Sequence, residues 1–352
     1  MSELPEIGKI SPEIFNELIF PRLGAKSRSV IVGPQHGVDV GIVEIGDKAV
    51  ALTTDPVFVV PEYGWERAAW FAIHILASDA VTSGLKPKYL SIDLNLPMEM
   101  TKEQLEIVWD TMHKECKKLG IAVVCGHTAR YENCHYPMVG GATVICVGEK
   151  DEYVTPKMAR SGDKIIITKG PAIEATGIFA AMFPKVIERE FGAEFSKRAQ
   201  EVFYKMSVVE DALTAVSVGV RDSGITSMHD ATECGIWGGL YEIAQAANLG
   251  VRVEKERIVV EKCVPEICKY FGIDPYAAIS EGTLIMSCRE HKAEEVVKAL
   301  SRKGIASSIV GELLSPRHGM ILVERGKEKK LKHPVVDPFW QAFYNALKNT
   351  PK

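Results

Sequence analysis

Between Ala49 and Gly84 a strand, a short loop and a helix set two carboxylates in one region. The strand ends in Leu52, Thr53, Thr54 and Asp55, and the helix carries Asp79 near its end. Trp65, Ala68, Ala69, Ala72, Ile73, Leu76 and Ala80 recur at helical spacing and make one apolar stripe, which Gly84 and Pro87 bring to a stop. Asp79 shares a row with Ala68, Ala72 and Ile75, so its side chain is expected to face the interior or a cleft floor. A buried carboxylate is costly without a cation, a metal or several donors. Taken singly, Asp79 fits a structural ion pair or a cap, and Asp55 fits strand-end turn chemistry. As a pair they supply what a magnesium–nucleotide site needs.

A chain of 352 residues has room for two domains, each with its own core. With 46% hydrophobic and 25% charged residues and a net charge of −4, it reads as soluble and globular, and the mild acidity argues against a nucleic-acid surface. There is no apolar run of about 18 residues to span a membrane. Met1 to Glu6 has neither a basic start nor an apolar core, so no signal peptide and a cytoplasmic location are expected. The eight cysteines lack CxxC spacing and lie mostly in apolar segments, as buried free thiols do. Cys125, His127, Cys134 and His135 are close in sequence but lack zinc-ligand spacing.

In chain order, residues 11–23 read as a short helix, followed by a basic, small-residue loop around Lys26 that either holds phosphates or simply connects. Val30 to Val32 is a strand, residues 33–39 a turn, and residues 40–44 a strand that pairs with the one ending at Asp55. Tyr89 to Leu96 alternates as a half-buried strand. Thr101 with Gln104 makes a capping box for a helix that ends at Gly120. Ile121 to Val124 is an apolar strand delivering Cys125, Gly126, His127 and Thr128 to its carboxyl end, where polar side chains commonly meet a ligand. The strand from Val139 to Val147 holds Gly140 and Gly141, a mark of close backbone approach or a bulge. The hydrophilic passage 148–156 divides the chain. Beyond it, Ile225 to Asp230 is a strand leading through an acidic turn into a glycine-rich helix start. Its amides either receive an anion or reflect tight packing at Gly238 and Gly239. Further strands are expected at 250–260, 284–287, 307–311 and 320–324, and helices at 292–302 and 339–347.

With these pieces in order the chain resembles the aminoimidazole ribonucleotide (AIR) synthetase, or PurM-like, ATP-binding superfamily, most of all its hydrogenase-maturation HypE branch. Gly37-Val38-Asp39-Val40-Gly41-Ile42-Val43 is similar to the family's GDDAAVV, Thr53-Thr54-Asp55 to TTD, Ser78-Asp79 to ND, and Gly126-His127-Thr128 to G(D/E/H)T. Asp230 to Gly235 is similar to DPTRGG, and Glu281-Gly282-Thr283-Leu284 to part of NEGKL. The resemblance implies a two-domain α/β (α+β) fold. Residues 1–150 would form the ATP- and Mg²⁺-binding domain, which pairs with its twin as a dimeric β-barrel. Residues 156–330 would form an α/β sandwich, and residues 331–352 a C-terminal helix. It implies Asp39, Asp55, Asp79 and Asp230 as Mg²⁺ ligands and Lys26, Asp39, Asp55, Asp79, Gly126 and Thr128 as the ATP-binding set. Asp79, His127 and Asp230 would be the catalytic residues. The partners implied are ATP, a small-molecule or protein-borne substrate and a second copy of the chain, with neither nucleic acid nor membrane.

The departures are specific. Val38 replaces an aspartate, His127 stands where most members have an acid, and Glu233 and Cys234 replace arginine and glycine. The HypE branch carries its substrate on a terminal cysteine, whereas the last cysteine here is Cys288. The leading expectation is therefore an ATP-dependent enzyme that phosphorylates an oxygen of a separate substrate. The alternatives are a non-catalytic nucleotide-binding accessory to metalloenzyme assembly and a thiamine-monophosphate kinase-like enzyme.

Overall fold

The computed structural model describes residues 10, 12–35 and 37–349; the N-terminal segment Met1 to Glu6, His36 and the chain end Thr350 to Lys352 lie outside them. After a helical stretch that opens with α1 (Pro12–Ile14) come β1 (Val30–Val32), β2 (Gly41–Ile45), β3 (Lys48–Phe58), α2 (Trp65–Val81), β4 (Pro87–Leu96), α3 (Lys102–Leu119), β5 (Ala122–Arg130) and β6 (Met138–Glu149). The six strands form one sheet in the order β1-β2-β3-β6-β4-β5, in which only β4 and β5 run parallel. It is open, with β1 and β5 at its edges. Gly140 explains the expected close approach: a Cβ there would lie 1.8 Å from the Asp93 carbonyl oxygen of the neighbouring strand.

The capping box of Thr101 and Gln104 forms, and Gly120 ends α3 in the left-handed conformation. The single apolar stripe expected on α2 is too narrow, because Ala68 to His74 are all buried. One side of the helix packs on the sheet; on the other, Trp70 and Phe71 meet Phe203 of the second half of the chain. A helix covered on both sides is apolar all round. The strand read at Ile121 to Val124 also differs: β5 runs on through Arg130, and Cys125 to Thr128 lie inside it, exposed.

The second half supplies β7 (Lys164–Thr168), α4 (Ile173–Met182), α5 (Pro184–Phe191), α6 (Ala193–Glu201), α7 (Val209–Val216), β8 (Ile225–Asp230), α8 (Gly235–Ala247), β9 (Gly250–Glu254) and α9 (Val264–Phe271). Then follow β10 (Leu284–Cys288), α10 (Glu290–Arg302), β11 (Ser307–Leu314), β12 (Met320–Glu324), β13 (Lys327–Lys330) and α11 (Pro338–Asn349). Seven strands make a mixed sheet, β13-β12-β9-β11-β7-β10-β8, with β9 and β12 parallel. Strand β9 stops at Glu254, short of the expected 260, and β13 has no sequence signature because Lys-Glu-Lys-Lys carries no apolar alternation. No helix among the described residues is long and apolar enough to cross a membrane.

Candidate functional site

Two sheets deliver carboxylates to one place. In the first, Gly41 lies opposite Leu52, which carries Asp39 toward the Asp55 end of β3. Thr53 Oγ1 donates to Asp79 Oδ2 at 3.2 Å, tying β3 to α2. In the second, Leu284 lies opposite Asp230, so the turn before β10 brings Glu281 to the end of β8. The two halves are pinned beside Asp79: the Val208 amide donates to Ser78 Oγ at 3.0 Å, and His74 Nδ1 pairs with Ser207 Oγ at 2.8 Å.

The electrostatics follow from that convergence. Burial pushes the Asp79 pKa well above the usual carboxylate range, and the charges of Asp230, Asp55 and Asp39 push it further. Asp230 is 0% exposed, neither of its oxygens has a hydrogen-bond partner, and burial together with Asp39 raises its pKa to about 6. Burial also raises Glu281 well above its ordinary value, with Asp230 and Glu174 adding to the effect, and its Oε2 is unpartnered. Glu174, whose Oε2 accepts from the Glu281 amide at 2.9 Å, is pushed up to about 7 by burial first and then by Asp337 and Asp230.

His229 bridges the halves. Its Nδ1 lies 2.8 Å from Asp39 Oδ2 and its Nε2 lies 2.6 Å from Glu242 Oε2. Burial opposes its charge, but the two carboxylates outweigh burial and raise its pKa well above that of a free imidazole. Because both ring nitrogens face carboxylates, the ring is held as an imidazolium.

Of the residues expected at the site, Asp39, Asp55, Asp79 and Asp230 come together. Gly126, His127 and Thr128 do not join them within one chain. Asp55 lies opposite Ala142, Ala142 opposite Ile92 and Ile92 opposite Gly126, so the groups are three strand spacings apart, roughly 14 Å. His127 Nε2 pairs with Tyr131 Oη at 2.9 Å, and Lys26 is exposed in the loop before β1. The glycine-rich start of α8 corrects the anion reading. The amides of Cys234, Gly235 and Trp237 are taken by Asp337 Oδ2 and by the Thr232 and Tyr276 carbonyls. Gly238 and Gly239 are packing positions, where a Cβ would lie 2.8 Å from the Cys234 and Ile285 side chains respectively. The described residues include all eight cysteines, and none of them forms a disulfide. Among the described residues, the His, Cys, Asp or Glu group within metal-ligand distance is Asp39, His229 and Asp230, and Cys125, Cys134 and His135 take no part in it.

Glu281, Glu174 and Glu242 are absent from the expected site. Glu174 and Glu242 are acids within otherwise apolar helices, which is the available signal. Asp337 serves the fold instead. It accepts from the Phe339 amide at 2.8 Å and from the Cys234 amide at 2.7 Å, capping α11 and fastening it to the loop after Asp230. Asp337→Ala loses a cap and strands a buried amide, so chemical denaturation is expected to register a loss of about 2–3 kcal/mol.

Comparison with known proteins agrees with this architecture. The family model for the AIR synthase related protein N-terminal domain matches residues 37–150, and that for its C-terminal domain matches residues 160–324. A protein of Methanocaldococcus jannaschii named for hydrogenase expression and formation is 24% identical over 94% of this chain and 96% of its own length. The carbamoyl dehydratase HypE of Escherichia coli is 23% identical over 84% of this chain and 85% of its own. The crystal structure of the hydrogenase maturation protein HypE in complex with ATP superposes with a TM-score of 0.65 at 22% identity, covering 94% of this chain and 97% of that one. With both domain models matched in order and the same fold in HypE, the chain belongs to the AIR synthase-related proteins.

Proposed function

We propose that this protein is an ATP- and Mg²⁺-dependent enzyme that activates an oxygen of a carbonyl, amide or phosphate group by phosphorylation, on a small molecule or on a partner protein. One observation carries the reading: Asp230 is buried among Asp39, Asp79 and Glu281 with neither oxygen hydrogen-bonded, an acidic group larger than the single neighbouring His229 cation offsets. Such a group is stable only beside a cation or with a proton. Mg²⁺ shared with nucleotide phosphates is that cation, held by Asp39, Asp55, Asp79 and Asp230, and ATP supplies the transferred phosphoryl group. The chain's own residues position and protonate. Thr53 and the Ser78–Val208 bond fix Asp79, and Glu281, whose pKa burial pushes well above the usual carboxylate range, faces Asp230 with an unpartnered Oε2. HypE, which binds ATP in its crystal structure, supports the nucleotide part of the reading, and its place in hydrogenase maturation fits a partner-borne substrate.

The reading is tested by incubating the protein with ATP and Mg²⁺ against a panel of carbonyl, amide and phosphate compounds, following ADP by coupled assay and product by ³¹P NMR. ADP release that depends on one substrate class is expected. Negligible, substrate-independent turnover across the panel favours a nucleotide-binding accessory instead. The observation that favours this second reading is that His229 already engages Asp39.

A second copy of the chain completes the site in this proposal, since Gly126 and Thr128 stand apart from the carboxylates of their own protomer. Val123 and Val124 on the β5 edge are 43% and 55% exposed, an apolar edge of the kind that pairs. Light scattering is expected to give a dimer. Val124→Glu should yield a monomer with unchanged circular dichroism that binds ATP at least about tenfold more weakly; a dimeric wild type whose variant stays dimeric places the contact elsewhere.

A further inference from the structure

We infer that the outer side of α11, with the basic segment before it, is a docking surface for a partner protein that presents an acidic helix with one apolar face. Phe339, Ala342, Phe343 and Ala346 turn α11 inward, where Phe339 and Phe343 meet the Phe179 ring. Beside them runs a second apolar row, which faces outward. Trp340, Tyr344 and Leu347, spaced i, i+4 and i+7 along the helix, are 39%, 42% and 42% exposed. Val335 and Val336, just before the helix, are 96% and 75% exposed. The apolar side of α11 is thus wider than the side the core covers, and a run of exposed apolar side chains of this kind marks an interaction site.

Charge selects the partner. Between Arg325 and Asn349 the chain carries six lysines and arginines against two acids, although its net charge is −4. Both acids are engaged: Glu328 Oε1 accepts from Arg252 Nε at 3.2 Å, and Asp337 is buried as the cap of α11. Lys329 pairs with Glu324, whereas Lys327, Lys330, Lys332 and Lys348 are exposed with no carboxylate partner among the described residues. An apolar row flanked by uncompensated lysines is complementary to a helix whose apolar face is bordered by Asp and Glu. A bilayer is the poorer match, because the rest of the chain is more acidic than the whole and an anionic lipid surface would repel it. The segment lies beyond Glu324, where the match to the C-terminal family model ends, so the shared fold does not account for it.

The probe is a fluorescein-labelled synthetic peptide of roughly 18 residues, with leucines at i, i+3, i+4 and i+7 on one face and alanine and glutamate elsewhere. Its control carries lysine in place of glutamate. No nucleotide is added, since the surface uses none of the carboxylates of the cation site. Fluorescence anisotropy is expected to show saturable binding of the acidic peptide to the full chain. Binding should weaken at least about tenfold in Trp340→Ala and in the double variant Lys330→Glu/Lys332→Glu, and should fall as salt is raised. Trp340 packs edge-on to Phe339 at 5.2 Å, so if circular dichroism shows that Trp340→Ala does not fold, Val335→Asp, at a side chain 96% exposed, takes its place with the same expected loss. No binding of the acidic peptide, equal binding of the lysine control, or unchanged affinity in the variants overturns the surface. Binding to phosphatidylserine vesicles but not to the peptide would make it a membrane surface, and a smaller mass of Trp340→Ala in light scattering would make it a contact between copies; either result overturns the proposal.

Discussion

Asp79→Asn is expected to weaken Mg²⁺-dependent ATP binding by about a hundredfold, roughly 2.7 kcal/mol, while making the nucleotide-free protein more stable. Both effects have one cause. Asp79 is held near Asp230, Asp55 and Asp39, which drive its pKa up together with burial, so the apo protein carries a repulsion that a proton or a cation must relieve. An amide of the same shape keeps the Thr53 hydrogen bond and removes the charge. The gain is about 1–3 kcal/mol, seen as a rise of a few degrees in melting temperature. Calorimetric titration and thermal melting measure the two arms. A lower melting temperature in the variant would mean that the carboxylate is satisfied by the fold and has no cation to wait for.

Phe203→Ala is expected to cost about 3–5 kcal/mol. Phe203 is 0% exposed, and its ring centroid lies 5.3 Å from Tyr63, 5.8 Å from Phe71 and 6.2 Å from Trp70. Those three rings flank or belong to α2, so this one side chain from the second half holds the helix that carries Asp79. Truncation opens a cavity at the contact between the halves. Urea denaturation should show the loss in midpoint and, as the halves uncouple, a second transition. A loss below about 1 kcal/mol would place the coupling between the halves elsewhere, at the His74–Ser207 and Ser78–Val208 bonds.

The strands and long helices are legible because each writes its period into the sequence. The alternation of Tyr89 to Leu96 and the Thr101–Gln104 cap give β4 and α3 nearly to the residue. Periodicity misleads on α2, where His74, Ser78 and Trp70 meet a second surface that no local pattern announces. Asp39, Asp55, Asp79 and Asp230 are legible as motif positions, and the fold brings them together. Glu281 stands in a quoted motif but its place at the site is not legible, nor is that of Glu174, since their nearness depends on β10 lying beside β8 and on one amide hydrogen bond across 107 residues. His229 directly precedes the motif that begins at Asp230, but its role follows from Asp39, 190 residues away. The anion reading of α8 fails for a related reason. The groups that fill its amides, Asp337 and the Tyr276 carbonyl, come from distant parts of the chain.

If carboxylates from both domains form a cation-dependent nucleotide site, calorimetric titration of ATP with and without Mg²⁺, on the wild type and on Asp55→Asn, will register it. ATP is expected to bind the wild type only with the metal and to lose that dependence in the variant. A wild type that binds no nucleotide under either condition would rule the site out and leave the fold of the AIR synthase-related proteins without their nucleotide chemistry.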